Sequence, residues 1–542
     1  MVGTVTTYLA LVRGFRHGMG MLFRLRSISA LTVLGWLALG CSARGSSNTD
    51  TVTPVDDETI PDVPVPAASG PKLVAVKPIV VVRDRPSPNG KAIGTLRAGA
   101  QVSRATEPYS KRNCAGGWYP VRPRGFVCAG DDASIDTTHP VALWFGAGPA
   151  LDRALPYRYA RAKKGETVLY AKVPTHDEQL AAEPKLGEGK NKEKEVRPLG
   201  VGANDLPLGE TFLPTGVAVL QPSAEGVGPD GYRTTASIFK FTGPPALQAS
   251  LVVGTSLGAL ENRLVKAKSG VALVGSFVAG EGLEERRYGI TPEGHFIPID
   301  RLGEALGSTW HGVDVSKGSL PLAFAIRNPH AWSLGKGDES ERLDEEFESK
   351  EAVRLSGRFR TVEGTLFYET AENHGWVRHK DFVMVLPRHK FPDFAEGTQK
   401  WIDISLANQT LIAWEGHRPM FATLISSGQD RLGDPASGVA ATLQGQFRIR
   451  TKLISRTLED AEVRGEFSVA EAPWVLEFAD GFAITGSYWQ STFGDSTNFH
   501  NVTMTPIDAH WLWHWTDVAL PEGWHGVTVP EDASSPIVYI HK

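Results

Sequence analysis

Apolar and polar residues alternate with a period of two over the last part of the chain, a pattern typical of half-buried strands. The alternation is clearest at Ile402, Ile404 and Leu406, which Asn408 and Gln409 follow as a turn. Two further apolar runs, at residues 411–414 and 420–425, are separated by a turn at 416–419. The pattern predicts a β-meander that opens a C-terminal domain near residue 399.

The apolar spacing becomes helical after residue 504. Thr505 can cap a helix, Pro506 suits the first helical position, and Asp508 stands three residues after the cap, where its carboxylate can reach back. Apolar side chains then recur at helical spacing, at Ile507, Trp511 and Leu512. We therefore predict a short helix over residues 506–515 with one apolar face against a core.

Short strands broken by turn residues fill the region from residue 71 to residue 132. Strands are predicted at 79–82 and 93–96, and a hairpin at 114–128. This region resembles a bacterial SH3-like module, a small barrel. Trp118 and Tyr119 could line an aromatic ligand groove or fill the barrel core, and the core is favoured. A second SH3-like piece is expected at 352–388, where strands at 365–369 and 382–385 flank Gly375, Trp376 and Val377.

The pattern of residues 139–320, the middle region, predicts a β-rich domain of unknown role. Strand-like runs at 141–145 and 167–173 lie between Gly and Pro turns, and the Lys/Glu/Gly run at 183–195 is typical of a solvated loop. The region holds no nucleotide-binding loop, no H-E-x-x-H motif and no cluster of metal ligands. No cofactor is therefore expected.

The N-terminus carries the pattern of a targeting segment. Arg24 and Arg26 precede an apolar run at 28–39, and the sequence Ala-Leu-Gly-Cys ending at Cys41 resembles a bacterial lipobox. The resemblance implies removal of residues 1–40, a lipid on Cys41, and a flexible linker at 41–70 that is rich in Ser, Thr, Asp and Pro. Ser42 after the cysteine favours the outer membrane, on the periplasmic face of the cell envelope. A plain secretory signal is the alternative.

Length and composition then limit the remaining possibilities. A chain of 542 residues predicts about three or four domains, here mainly β. The net charge of -5 and the lack of a basic stripe give no reason to expect nucleic acid as a partner. Of three cysteines, Cys41 is assigned to lipid, and Cys114 and Cys128 lie close together in an exported chain, which predicts a disulfide. No thiol is left for catalysis.

The segment 484–515 resembles the signature of the L,D-transpeptidases, cysteine enzymes that cross-link or anchor peptidoglycan. That signature reads roughly H-G-x-Y-W, then S-H-G-C-V-N/R-L/M, then S/T-P-x-D-A-x-W-L. The similarity extends over residues 400–526, about a quarter of the chain. It implies the family's β domain with a short helix. The chain retains these signature residues: Gly486, Tyr488, Trp489, Gly494, Val502, Met504, Pro506, Asp508, Ala509, Trp511 and Leu512.

The catalytic positions of this signature are changed. In the register fixed by Pro506, Asn501 stands where the family has its nucleophilic cysteine, Phe499 at the general-base histidine, and Thr485 at the upstream histidine. An amide is not a nucleophile and a phenyl ring accepts no proton, so acyl transfer by a thiolate and a base is not available. Three further positions differ: Asn498 lies at the family's Ser, His500 at its Gly, and Thr503 at its polar residue after the nucleophile. The family's T-P-x-G likewise becomes T-L-Q-G at 442–445.

Three functions remain open. The first is a non-catalytic envelope lipoprotein that binds peptidoglycan stem peptides or a cell-wall enzyme, with Gly486, Tyr488, Trp489, Asn498 and His500 as its possible pocket. The second is an active acyl transferase with a relocated nucleophile that His500 activates, for which the loop offers Ser491, Ser496 and Thr497. The third is a purely structural lipoprotein in which Phe499 and His500 close the old pocket.

Two histidines raise a separate possibility. His510 and His514 share a helical face at spacing i, i+4, which could bind a metal, but no third ligand has suitable spacing. Surface or hydrogen-bonded core histidines are the favoured interpretation.

Overall fold

Strands dominate the described part of the chain, as the sequence predicts. The computed structural model describes residues 60–145, 148–163, 165–171, 174, 176–184, 263–279, 286–305, 307–318, 320–430, 432–437, 439–458, 467–530 and 533–542, all within a unit that spans 57–542. The predicted signal, Cys41, most of the predicted linker and nearly all of the predicted loop at 183–195 lie outside these residues. Among the described residues, no helix combines the length and apolar character needed to cross a bilayer.

The first module is built from seven short strands. They are β1 Lys72–Ala75, β2 Ile79–Arg83, β3 Ala92–Arg97, β4 Gln101–Ser103, β5 Trp118–Pro120, β6 Phe126–Cys128 and β7 Ala133–Ser134. The predicted hairpin is confirmed, because β5 pairs with β6 antiparallel. The predicted disulfide joins Cys114 to Cys128. Trp118 and Tyr119 are both buried, so they fill cores rather than a groove.

The middle region adds strands and two helices. They are α1 Pro140–Phe145, β8 Arg158–Ala162, β9 Thr167–Leu169, α2 His176–Ala182, β10 Arg263–Val265, β11 Gly270–Leu273, β12 Gly275–Ala279, β13 Arg286–Ile290, β14 Phe296–Pro298, a 3₁₀ turn at Ile299–Arg301, β15 Leu302–Glu304 and β16 Val313–Asp314. The strand predicted at 141–145 is wrong, since these residues form α1. Pro140 suits a first helical position, and Val141 and Ala142 pack against Val74 and Val76 of the first module. This tertiary contact overrides the local strand-like pattern.

The region around the predicted second module forms a seven-stranded sheet that begins before residue 352. Its strands are β17 Leu322–Ala325, β18 His330–Leu334, β19 Ser340–Glu346, β20 Ala352–Val362, β21 Thr365–Thr370, β22 Trp376–Arg378 and β23 Phe382–Val385, with a 3₁₀ turn at His379–Asp381. Their spatial order is β19-β18-β22-β21-β20-β17-β23. The strands predicted at 365–369 and 382–385 are confirmed.

The C-terminal domain contains the predicted meander and helix. Its elements are β24 Lys400–Ser405, β25 Thr410–Glu415, β26 Arg418–Leu424, a 3₁₀ turn at Pro435–Ser437, β27 Gly445–Arg448, β28 Thr451–Leu458, β29 Val469–Ala479, β30 Phe482–Gly486, β31 Val502–Met504, α3 Pro506–Trp515, β32 Gly526–Thr528 and β33 Ile537–His541. The meander strands lie in a six-stranded sheet of order β16-β26-β25-β24-β33-β27. Helix α3 has the predicted bounds.

One large sheet crosses the predicted domain boundaries. Its order is β15-β8-β11-β29-β28-β32-β3-β2-β6-β5, with β30 paired to β29 and β31 paired to β30. It therefore joins strands of the first module, the middle region and the C-terminal domain. The main core packs apolar side chains from this sheet, the six-stranded sheet and α3, including Ile402, Leu476, Val502 and Leu512.

A buried ion pair also joins the first module to the C-terminal domain. Arg97 of β3 donates to the carboxylate of Glu471 in β29. Ser455 donates its hydroxyl to the same carboxylate at 2.5 Å, and the His525 Nε2 lies 2.8 Å from the Ser455 carbonyl oxygen. Burial lowers the pKa of His525 to about 4. A serine, a histidine and a glutamate thus meet here, but all three side chains are buried, so their role is structural.

Candidate functional site

The pairing of β30 with β31 positions the residue at the family's nucleophile. These strands run parallel, with Ile484 opposite Val502 and Thr485 opposite Thr503. Asn501 precedes β31, is 2% exposed, and its Oδ1 accepts a hydrogen bond from the Ala483 amide at 2.9 Å. Buried backbone donors need partners. The Asn501 side chain supplies the acceptor for the Ala483 amide of β30.

The upstream position is equally enclosed. Thr485 is fully buried and donates its hydroxyl to the Pro473 carbonyl at 2.9 Å. A Cβ added to Gly486 would lie 3.1 Å from the Ala509 Cβ and 3.1 Å from the Pro473 Cγ. Glycine at 486 therefore permits the close approach of α3 to β30, which accounts for this signature residue through packing.

A hydrogen-bond network surrounds Thr503. Its hydroxyl oxygen accepts from Asn498 Nδ2 at 2.6 Å and from Gln490 Nε2 at 2.9 Å. Asn498 Nδ2 also donates to the Ser426 carbonyl at 2.8 Å. The Asn498 amide thereby ties the loop before β31 to the segment after β26. Gln490 and Ser426 were missed in the sequence, since their link to the site depends on the folded chain.

Hydroxyl groups near this network also bind protein groups. The Ser426 and Thr497 hydroxyl oxygens lie 2.8 Å apart. Thr442 donates its hydroxyl to the His500 carbonyl at 2.9 Å and accepts from the Gly428 amide at 3.0 Å. Thr442 begins the T-L-Q-G run that departs from the family pattern. This departure was the feature of the sequence that drew attention to residues 442–445 near the site.

The remaining candidate nucleophiles lie at the edge of this loop. Ser491 is exposed, and its carbonyl accepts from Lys350 Nζ at 2.6 Å. The Ser496 hydroxyl points to the Gln429 carbonyl at 3.5 Å.

Phe499 and His500 form an aromatic cluster with Phe482. The ring centroids of Phe499 and His500 are 4.0 Å apart, and those of His500 and Phe482 are 5.2 Å apart. Both Phe499 and His500 are half-buried. The His500 ring therefore lies among apolar rings.

Tyr488 and Trp489, expected in a pocket, instead lie in a buried cluster with the middle region. The Tyr488 ring stacks on the Tyr159 ring with centroids 4.0 Å apart, and its hydroxyl donates to the Ala470 carbonyl at 2.6 Å. Burial raises the pKa of Tyr488 well above its ordinary value. The Trp489 ring meets the Tyr488 ring edge-on, with centroids 5.2 Å apart. The middle region thus covers this side of the domain.

The start of α3 follows the sequence prediction, and the Asp508 carboxylate in addition binds Gly312 and Thr423. Thr505 caps the helix by accepting from the Asp508 amide at 3.2 Å. The Asp508 carboxylate accepts from the Gly312 amide at 3.0 and 3.2 Å and from the Thr423 hydroxyl at 2.5 Å. Burial raises the pKa of Asp508 to about 6, although these hydrogen bonds oppose the shift. Asp508 therefore holds the middle region, the meander and α3 together.

The apolar face of α3 differs in part from the predicted one. Leu512 is buried as expected, whereas Ile507 and Trp511 are only half-buried. Pro506, Ala509 and Trp513 are the other apolar residues of the helix that are buried. The Trp511 ring stacks on the Phe421 ring with centroids 4.4 Å apart.

His510 and His514 are adjacent on α3, with ring centroids 4.3 Å apart. The His510 Nε2 lies 2.9 Å from the Leu151 carbonyl, and the His514 Nδ1 lies 2.9 Å from the His510 carbonyl. Within the described ranges, no three His, Cys, Asp or Glu side chains are grouped so that they could hold a metal ion.

The comparisons with known proteins find similar solved structures but no matching family. No protein-family model matches the chain, and no curated protein matches it. Solved L,D-transpeptidase structures are similar to parts of it. A variant of the Enterococcus faecium enzyme is 17% identical, over 26% of this chain and 50% of that one, with a TM-score of 0.20.

Two further L,D-transpeptidases are similar to the same extent. The one from Xylanimonas cellulosilytica is 20% identical over 28% of this chain and 65% of its own, with a TM-score of 0.20. The one from Stackebrandtia nassauensis is 16% identical over 29% and 62%, also with a TM-score of 0.20. The chain thus spans less than two thirds of these three structures. At these identities and TM-scores the similarities carry no inference about activity.

Proposed function

We propose that this protein is a non-catalytic binding protein of the cell envelope, built on an L,D-transpeptidase-like scaffold. The observation that carries the proposal is the buried Asn501, whose side chain accepts the Ala483 amide. A group at this position can attack a peptide only if it is nucleophilic and accessible, and Asn501 is neither.

The surroundings of Asn501 also support a non-catalytic role. Acyl transfer by a thiol needs a base that takes the proton. Phe499 cannot do so, and the Thr485 hydroxyl is donated to a backbone carbonyl. Among the described residues both cysteines are joined in the disulfide, so that part of the chain offers no thiol.

The alternative of a relocated nucleophile has less support. The Thr497 hydroxyl is hydrogen-bonded to Ser426, and the Ser496 hydroxyl points to the Gln429 carbonyl. The His500 ring lies against the Phe499 and Phe482 rings in tilted arrangements. These contacts support a structural role for the loop's polar groups.

The proposed location and partners rest on the sequence. A lipid on Cys41 would hold the protein on the periplasmic face of the envelope, with the outer membrane favoured by Ser42. Peptidoglycan stem peptides or a cell-wall enzyme are the partners that a transpeptidase-like scaffold in that location would meet. Replacing Cys41 with Ser should release the protein to the soluble fraction. A mature wild-type protein without lipid by mass would contradict the anchor.

The test of the central proposal uses the mature wild-type protein and muropeptides that carry tetrapeptide stems. We expect the protein to bind these muropeptides without forming a cross-linked product, and to gain no covalent mass after incubation with a carbapenem. Asn501→Cys should remain inactive, because Phe499, which stands at the position of the family's base, cannot take the thiol proton. Restoring Thr485→His, Phe499→His, His500→Gly and Asn501→Cys together should give more activity than the single change.

Two outcomes would overturn the proposal. A cross-linked product or an acyl adduct on the wild-type protein, abolished by Ser491→Ala, Ser496→Ala or His500→Ala, would establish a relocated nucleophile. If the protein neither converts nor binds any muropeptide, the purely structural alternative remains.

A further inference from the structure

A cavity of about 320 Å³ lies in the first module, away from the transpeptidase-like site. One wall is the segment of residues 60–66, which we name the strap. The module itself contributes Asp84, Lys91, Ile93 and residues 120–121 and 123–126, and the loop after β32 contributes residues 528–530. The site is thus composite, since three separate parts of the chain enclose it.

The strap touches the module at two points. Pro66 is buried, and its carbonyl accepts from Arg122 Nη1 at 3.1 Å. Val63 packs against the buried cluster of Cys114, Trp118 and Phe126 at the disulfide. Ile60 and Val65, by contrast, are 66% and 58% exposed. The strap is therefore attached to the module although it comes from the predicted flexible linker.

The cavity combines apolar walls with charged groups of both signs. Its charged lining residues are Asp62, Asp84, Lys91 and Arg124. Asp84 lines the cavity, and its side chain is 16% exposed. The Arg85 Nε is 3.8 Å from the Asp84 carboxylate, beyond hydrogen-bonding distance. A partly exposed carboxylate at a cavity wall can accept from a ligand that brings its own donor.

We propose that this cavity binds a short apolar peptide with free termini. The apolar walls contact its side chains, Asp84 accepts from its ammonium group, and the exposed guanidinium of Arg124 binds its carboxylate. A volume of about 320 Å³ is at the lower end of ligand pockets and fits about two or three small residues. The inference does not depend on the proposed function, because it uses no residue of the transpeptidase-like site.

The test titrates the full mature chain with the tripeptide Ala-Val-Ala by calorimetry and maps the contact by hydrogen exchange. We expect saturable binding and slower exchange in the strap and in residues 120–126. The same tripeptide with an acetylated N-terminus and an amidated C-terminus should bind at least about tenfold more weakly, because a charge-assisted hydrogen bond is lost at each end.

Two variants and one control assign the contacts. Asp84→Asn should weaken binding of the free tripeptide by about tenfold or more, with little effect on the blocked one. Arg124→Gln changes an exposed side chain and should leave the fold intact. It should weaken the binding only of peptides with a free carboxylate. Asp131→Asn removes an exposed acid of the same module outside the cavity and should have no effect.

Three results would overturn the inference. They are no binding at millimolar peptide concentration, protection from hydrogen exchange outside the strap and residues 120–126, and equal affinity of wild type and Arg124→Gln for the free tripeptide. A melting curve on Asp84→Asn separates loss of the contact from loss of the fold. Turnover of muropeptides would refute the proposed function and leave this inference intact, since the two tests use different sites.

Discussion

Asp508 provides a test of how the domains are joined, because its carboxylate is buried and its pKa is raised. We consider Asp508→Asn, which removes the charge and keeps the shape. The asparagine carbonyl can still accept from the Gly312 amide, and its NH₂ group can donate to the Thr423 hydroxyl. The variant therefore keeps the contacts of the native residue and loses only its titration.

The sign and size of the effect follow from the pKa. Burial raises the pKa of Asp508 from 3.8 to about 6 in the folded state, so the folded protein binds more protons than the unfolded chain between these values. The stability contribution of the protonated group is present below about pH 4 and is lost as the pH rises through 6. A shift of about two pKa units corresponds to about 3 kcal/mol of unfolding free energy.

The assay is urea unfolding of wild type and Asp508→Asn at half-unit steps from pH 4 to pH 8, followed by tryptophan fluorescence. Other groups titrate in both proteins, so the difference in unfolding free energy isolates position 508. We expect this difference to move in favour of the variant by about 2.4 kcal/mol between pH 4 and pH 7, since part of the full effect already lies below pH 4. Asp508→Ala is the matched control: it leaves the buried Gly312 amide unpaired and should cost about 1–3 kcal/mol, whereas the Thr423 hydroxyl keeps the Leu424 carbonyl at 3.3 Å. A difference that stays flat over this range would refute the reasoning.

Three further predictions concern other contacts. Thiol titration of the unreduced mature protein should detect neither Cys114 nor Cys128, and replacing both with Ala should lower the unfolding free energy by about 2–5 kcal/mol; reactive thiols at both positions would contradict the bond. Arg97→Met should cost about 3–5 kcal/mol in urea unfolding because it leaves Glu471 charged and buried, whereas the double variant with Glu471→Gln should cost less; equal losses would contradict a paired charge. Asn501→Ala should cost about 1–3 kcal/mol through the unpaired Ala483 amide, with hydrogen exchange at that amide as the readout, and unchanged exchange there would oppose it.

The parts of the fold that depend on local sequence could be predicted. The meander follows from the alternation at Ile402, Ile404 and Leu406, and the bounds of α3 follow from Thr505 and Pro506, because a cap and a proline act within one helical turn. Residues 141–145 show the limit of such patterns. The same apolar run suits a strand or a helix, and its packing against the first module decides for the helix.

The contacts that join the domains could not be predicted. Gly312 and Asp508 are 196 residues apart, and no local pattern indicates that an amide of the middle region would bind the carboxylate in α3. Likewise, the signature gave the register of Tyr488 but not its burial against Tyr159. A sequence pattern can suggest that a residue near a domain boundary is exposed. Only the folded chain shows whether another domain covers that residue.

The sequence singles out Asn501 and Thr485, and the structure adds the hydrogen bonds that their side chains make. In an enzyme, catalytic polar groups must keep a lone pair or proton available for the substrate. Here the Asn501 carbonyl is used by the Ala483 amide, and the Thr485 hydroxyl is used by the Pro473 carbonyl. Asn501→Cys would therefore remove the acceptor of the Ala483 amide, and the sheet would lose a hydrogen bond that stabilises this part of the domain.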